Sequence, residues 1–261
     1  MSVADAQQEF EGKRAFVTGG SRGIGRAICL ELARGGADVA FVYRNRDAEA
    51  EETLAQLRAL GRRALALKAD LAQAPAVAAA VERAAAELGG IDILVQAAGA
   101  MGVWRSVSEL AAEDWDRYLA VDLSGAFYVF RAGLPHLRRA GGGSIVAISS
   151  IAAQMCQPRN VQGAAAKAGL EALVRVVARE EGRHGIRANA VAIGLTDTDM
   201  GRAALAEWGP ETTQRVIRGI PLQRIGTPEE VARVVCFLAG SGGAYITGKV
   251  LQVDGGQIIA A

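Results

Sequence analysis

Short runs rich in Val, Ile and Leu alternate along the chain with longer Ala-rich stretches whose apolar positions recur at helical spacing. The spacing predicts strands at Arg14–Thr18, Asp38–Tyr43, Ala64–Lys68, Ile91–Gln96, Gly143–Ser149, Arg187–Ile193 and Val250–Val253. It predicts helices at Gly23–Arg34, Ala48–Leu60, Pro75–Leu88, Ala112–Leu137, Asn160–Gly182 and Pro228–Ala239. Strict β–α alternation implies a parallel sheet covered by helices on both faces. Right-handed crossovers then give a single-domain α/β fold with a doubly wound parallel sheet, whose ligands bind at the carboxyl ends of the strands. Residues 13–261 are expected to form that one domain, preceded by a polar extension over residues 1–12. Gly194–Thr227 shows no clear period, and a segment that long in a compact domain is expected to be a substrate lid.

Charge and composition narrow the function classes. The 261 residues carry 29 Lys+Arg against 28 Asp+Glu, with no block of like charge, so nucleic acid and anionic membrane are not expected partners. No apolar run reaches the roughly 18 residues of a membrane span, and Met1–Gly12 lacks the apolar core of a secretion signal, so a soluble cytoplasmic protein is expected. Cys29, Cys156 and Cys236 stand far apart in apolar settings and read as buried thiols. His136 and His184, the only histidines, lie beside arginines and read as surface residues. No His, Cys, Asp and Glu cluster has metal-ligand spacing.

The first strand runs directly into Gly19-Gly20-Ser21-Arg22-Gly23-Ile24-Gly25 and then a helix. Glycines there let the backbone turn tightly against a pyrophosphate, whose charge the first helical N–H groups and the helix dipole bind. A tight turn alone would be weak evidence, but its place between first strand and first helix marks a dinucleotide site. The second strand ends Tyr43-Arg44-Asn45-Arg46, without the carboxylate that would hold the ribose hydroxyls of NAD. Arg44, helped by Arg22, suits a 2′-phosphate, and Tyr43 or Arg44 suits stacking on adenine, so NADP(H) is expected over NAD(H).

Taken together, several motifs in order resemble the short-chain dehydrogenase/reductase family over essentially the whole chain, which implies a Rossmann-type fold. They are Thr18–Gly25, Asp70-Leu71, Ser149-Ser150, Lys167, Gly226–Glu230, and Tyr245–Gly248 leading to Val253–Gly256. The resemblance implies that Asp70 and Leu71 border the adenine and that Ala98, Gly99 and Thr198 contact the cofactor. It also implies a homotetramer or homodimer acting on a small molecule.

In that family a Tyr exchanges the substrate proton, a Lys four residues later holds the nicotinamide ribose, and a Ser about thirteen residues before the Tyr orients the carbonyl. Carried over, the Ser is Ser150 and the Lys is Lys167, but the Tyr position is Gly163. No tyrosine lies between Tyr128 and Tyr245, so no shift of alignment restores one. The family's proton-relay Asn is Asp122, and its Asn-Asn-Ala-Gly after the fourth strand is Gln96-Ala97-Ala98-Gly99.

The expected activity is therefore NADP(H)-dependent reduction of a C=O or C=N bond without the usual tyrosine. Asp122, Lys167, an ordered water, or a substrate that brings its own proton are the alternative proton sources. Gly163 is expected to leave a phenol-sized space in the substrate pocket, with close helix packing as the alternative. Met101, Trp104, Met155, Met200 and Trp208 are expected along an apolar rim. The rivals are a binding protein that has lost catalysis, and an epimerase or dehydratase on the same fold.

Overall fold

The computed structural model describes residues 8–259, so residues 1–7 of the polar extension lie outside it. The strands are β1 (Arg14–Thr18), β2 (Asp38–Tyr43), β3 (Ala64–Lys68), β4 (Ile93–Gln96), β5 (Gly143–Ser150), β6 (Ile186–Ile193) and β7 (Val250–Val253). The helices are α1 (Gly23–Arg34), α2 (Asp47–Ala59), α3 (Ala74–Leu88), α4 (Ala112–Leu119), α5 (Gly125–Arg139), α6 (Val161–Glu181), α7 (Asp199–Gly219) and α8 (Pro228–Ala239). The strands form one parallel sheet in the order β3-β2-β1-β4-β5-β6-β7.

Successive strand residues feed opposite faces, which is why the apolar runs are unbroken. Phe16, Leu94, Ile145 and Ala147 pack with Val81 of α3, Val129 and Phe130 of α5, and Leu170 and Val174 of α6. Their neighbours Val17, Ile93, Val95 and Val146 pack with Ile28 and Leu32 of α1, Leu57 of α2, and Val235 of α8. Phe10, ahead of the first strand, is buried in this second layer, and its N–H donates to the Gly35 carbonyl. The strand order reverses between β1 and β4, so a crevice opens where their following loops diverge.

Two backbone features depart from the sequence expectations. The single helix predicted over Ala112–Leu137 is two helices joined by a π-helical turn at Ala120–Ser124, with Asp122 at its centre. Such wide turns insert a residue and re-aim the side chains around it. Within Gly194–Thr227 lies helix α7, bent where Gly209 (φ 76°) precedes Pro210, and the bend hides the helical period. Thr198 caps it by accepting the Gly201 N–H at 3.0 Å. Two side-chain expectations also fail. Cys156 is exposed at the end of a short helical turn, Ala152–Met155. His136 is buried because it faces α3, where Glu82 lies 2.8 Å from its Nε2 while Arg139 donates to its Nδ1 at 2.8 Å.

Helix α8 starts with Pro228 behind a reciprocal cap, in which the Thr227 hydroxyl accepts the Glu230 N–H and Glu230 accepts the Thr227 N–H. Arg224 grips both Glu230 oxygens, at 2.6 and 2.9 Å, and with the Thr227 N–H draws this carboxyl from 4.5 down to about 2. The stabilisation is present above the ordinary carboxylate range and is lost as the pH falls from about 4.5 toward 2. Thr227→Ala is expected to lower unfolding free energy by about 1 kcal/mol, measured by denaturant titration at neutral pH.

Candidate active site

A cleft of about 990 Å³ follows the carboxyl ends of the strands. It is lined by every site residue expected from the sequence: Gly19, Ser21, Arg22, Gly23, Ile24, Gly25, Tyr43, Arg44, Asp70, Leu71, Ala98, Gly99, Asp122, Ser150, Gly163, Lys167 and Thr198. At one end the glycine turn is too tight for side chains. Gly19 has φ 73°, and a Cβ there would stand 2.8 Å from the Ala98 Cα; a Cβ on Gly25 would run into the Gly19 carbonyl. Arg22 makes no side-chain cap on α1 and the first turn holds no acidic residue, so the helix N-terminus is left to an anion. Arg26 and Thr53 brace the turn from behind, both donating to the Ser21 carbonyl. These observations fit a dinucleotide's pyrophosphate.

Next to the turn, Arg44 is exposed and has no carboxylate partner among the described residues. The nearest acid in sequence, Asp47, is held by Lys68 at 2.8 Å, and Lys68 first and Tyr43 second keep its carboxyl below the usual range. Burial, then hydrogen bonding to Asp47, pushes the Tyr43 phenol up. Arg22 pairs with Asp199 at the start of α7, which ties the glycine turn to the opposite wall.

At the far end, β1 and β4 are locked together. The Thr18 hydroxyl donates to Gln96 Oε1 at 2.9 Å and accepts the Ala97 and Ala98 N–H groups at 3.0 and 3.1 Å. Gln96 thus steadies the strand ends. Asp122 is 1% exposed: its Oδ2 accepts the Ala100 N–H at 2.7 Å and its Oδ1 lies 2.9 Å from Lys167 Nζ. This last contact is an ion pair without hydrogen-bond alignment, since Lys167 donates to the Ile148 carbonyl at 3.1 Å and Oδ1 has no hydrogen-bond partner. Ser150 accepts the Ala152 N–H at 3.1 Å, which leaves its own proton for a ligand.

The space expected beside Gly163 is not open. A Cβ there would collide with the Asn160 carboxamide, because Asn160 precedes α6 without capping it and its side chain folds over the third residue of the helix. Asn160 lines the cleft, as do two further residues that the sequence did not single out, Gln162 and Tyr118. Gln162 donates to the Val103 carbonyl at 2.6 Å. Burial, then the Asp122 charge, pushes the Tyr118 phenol well up from its ordinary value. Its spacing of four residues before Asp122 on a helix was the signal that could have found it. Met101, Met155, Met200, Trp104 and Trp208 line the cleft as expected, the two indoles packing edge to face at 5.2 Å.

Among the described residues no group of His, Cys, Asp and Glu could hold a metal, and no helix is long and apolar enough to cross a membrane. Comparison with known proteins gives a consistent picture. The family described as enoyl-(acyl carrier protein) reductase matches residues 19–257. The short chain dehydrogenase/reductase AacuN of Aspergillus aculeatus is 37% identical, over 98% of this chain and 99% of its own length. An L-rhamnose 1-dehydrogenase (NAD(P)(+)) of a Sphingomonas species is 37% identical over 95% of this chain and 97% of its own. The crystal structure of a short chain dehydrogenase from Burkholderia cenocepacia in complex with NADP superposes with a TM-score of 0.89. Its identity is 39%, over 95% of this chain and 99% of that one. With sheet order, cleft and sequence in agreement over nearly the full length, the chain belongs to the short-chain dehydrogenase/reductase family and is an oxidoreductase of that type.

Proposed function

We propose that the protein is an NADP(H)-dependent reductase of a C=O or C=N bond that works without a tyrosine at position 163. One observation carries the reading: a single cleft joins the glycine turn and Arg44 to Ser150, Lys167 and Asp122, with Gly163 beside them. Arg44, with Arg22, pairs with the 2′-phosphate, the α1 N-terminus holds the pyrophosphate, and Asp70 and Leu71 border the adenine. NADP is named for the solved Burkholderia relative, which supports the same cofactor here. When bound, NADPH supplies the hydride. Ser150 donates to the substrate oxygen or nitrogen, Lys167 holds the nicotinamide ribose, and Asp122 fixes Lys167 from behind. Thr198 and α7 close one wall, and the Met and Trp side chains favour an apolar substrate body.

A second reading is a cofactor-binding protein without turnover. The observation favouring it is Asn160, which stands in the direction a catalytic side chain at position 163 would take. Loss of NADPH absorbance in stopped flow, with panels of ketones and cyclic imines, separates the two. Turnover of any panel member supports the reductase. Tight NADPH binding with no turnover, together with ketone reduction gained in Gly163→Tyr, supports the second reading. That substitution suits the helical backbone, and its Cβ displaces the Asn160 side chain.

A further inference from the structure

We propose that Tyr118 gives the substrate its proton, so that the phenol missing from α6 is supplied from α4. The inference rests on the reductase reading above.

Position comes first. Tyr118 lines the same cleft as Ser150 and Lys167. Its ring edge lies 3.3 Å from the point a Cβ on Gly102 would occupy, and the Gln162 amide nitrogen lies 3.2 Å from that same point. The ring therefore lies beside the Gly102 backbone, on the side to which the Gln162 side chain of α6 also reaches.

The hydroxyl is uncommitted. Tyr118 is 9% exposed and makes no side-chain hydrogen bond among the described residues, and its hydroxyl is not one of the fully buried unpaired atoms, so it is reached by solvent. The other groups at this end are unsuited or engaged. Asp122 and Lys167 hold each other at 2.9 Å. Asn160 carries an amide that releases no proton, and Ser150 is a weaker acid than a phenol.

The chemistry balances. As hydride adds to the carbonyl carbon, the C=O π pair moves onto oxygen, and that oxygen takes the Tyr118 proton; NADPH is oxidised and the ketone reduced to an alcohol. The phenolate left behind is weaker in basicity than the alkoxide it protonated, and it regains a proton from solvent water. Burial and Asp122 keep the phenol protonated between turnovers, and the Lys167 ammonium behind Asp122 offsets the negative charge of the transient phenolate.

The test compares two substrate classes in Tyr118→Phe, which removes the hydroxyl and keeps the ring. A ketone needs a proton, whereas a preformed cyclic iminium ion already carries all it needs. Ketone kcat is expected to fall about 10²-fold or more, in line with loss of a general acid. Iminium kcat and NADPH affinity by fluorescence titration are expected within threefold of the unsubstituted protein. Ketone reduction within threefold, equal losses on both substrates, or a selective ketone loss in Asn160→Ala but not in Tyr118→Phe would each overturn the proposal. If the unsubstituted protein reduces neither class, the reductase reading fails and this one falls with it. Turnover of ketones that survives in Tyr118→Phe sinks this proposal alone.

Discussion

Lys167→Ala is expected to destabilise the fold by about 3–5 kcal/mol, because it strips the partner from a carboxylate buried in the protein. Asp122 is 1% exposed, and Lys167 is the only cation among the described residues within 4 Å of it. The Ala100 N–H is then the one remaining donor. Asp122→Asn in the same background removes the charge and is expected to restore most of the loss in urea denaturation. It does not restore the lysine, so NADPH affinity and turnover stay low in the double variant. That split between stability and binding separates the two jobs assigned to Lys167.

Arg44→Ala is expected to weaken NADPH binding about 10- to 100-fold and to leave NADH binding nearly unchanged, the size of one or two charge-assisted hydrogen bonds. Arg44 is exposed and without a carboxylate partner among the described residues, so it meets a phosphate without first breaking an ion pair. Arg22 is differently placed. It is already paired with Asp199, so its substitution is expected to cost less NADPH affinity than that of Arg44. Fluorescence titration of both cofactors at two salt concentrations measures these effects, the NADPH loss shrinking at higher salt.

Much of this architecture is legible in the sequence because local physics dictates it. Unbroken Val and Ile runs mark strands covered on both faces, and the glycine cluster between first strand and first helix marks a tight turn. The structure shows how tight that turn is, Gly19 having no room for a Cβ against Ala98. What stayed hidden depends on contacts between distant segments. Helix α7 escaped because Gly209 and Pro210 break its period. The π-helical turn around Asp122 changes no residue pattern, since it costs one inserted position inside a continuous helical signal. His136 reads as polar surface until α3 is packed against α5, and only then does Glu82 meet it.

The candidate site divides along the same line. Ser150, Gly163, Lys167 and Asp122 are marked by their places in the motifs of the family that the sequence resembles. The fate of the space at Gly163 is not. A sequence shows a missing side chain but not which neighbour turns into the gap, and here the neighbour is Asn160. Tyr118 lies far outside the linear interval around Gly163, on a helix that precedes β5.

The most direct measurement is calorimetric titration of the purified protein with NADPH and, separately, with NADH. One saturable NADPH site per chain is expected, at least tenfold tighter than that for NADH, and weakened by Arg44→Ala. Absence of heat with both cofactors on folded protein, or tighter binding of NADH, would contradict it.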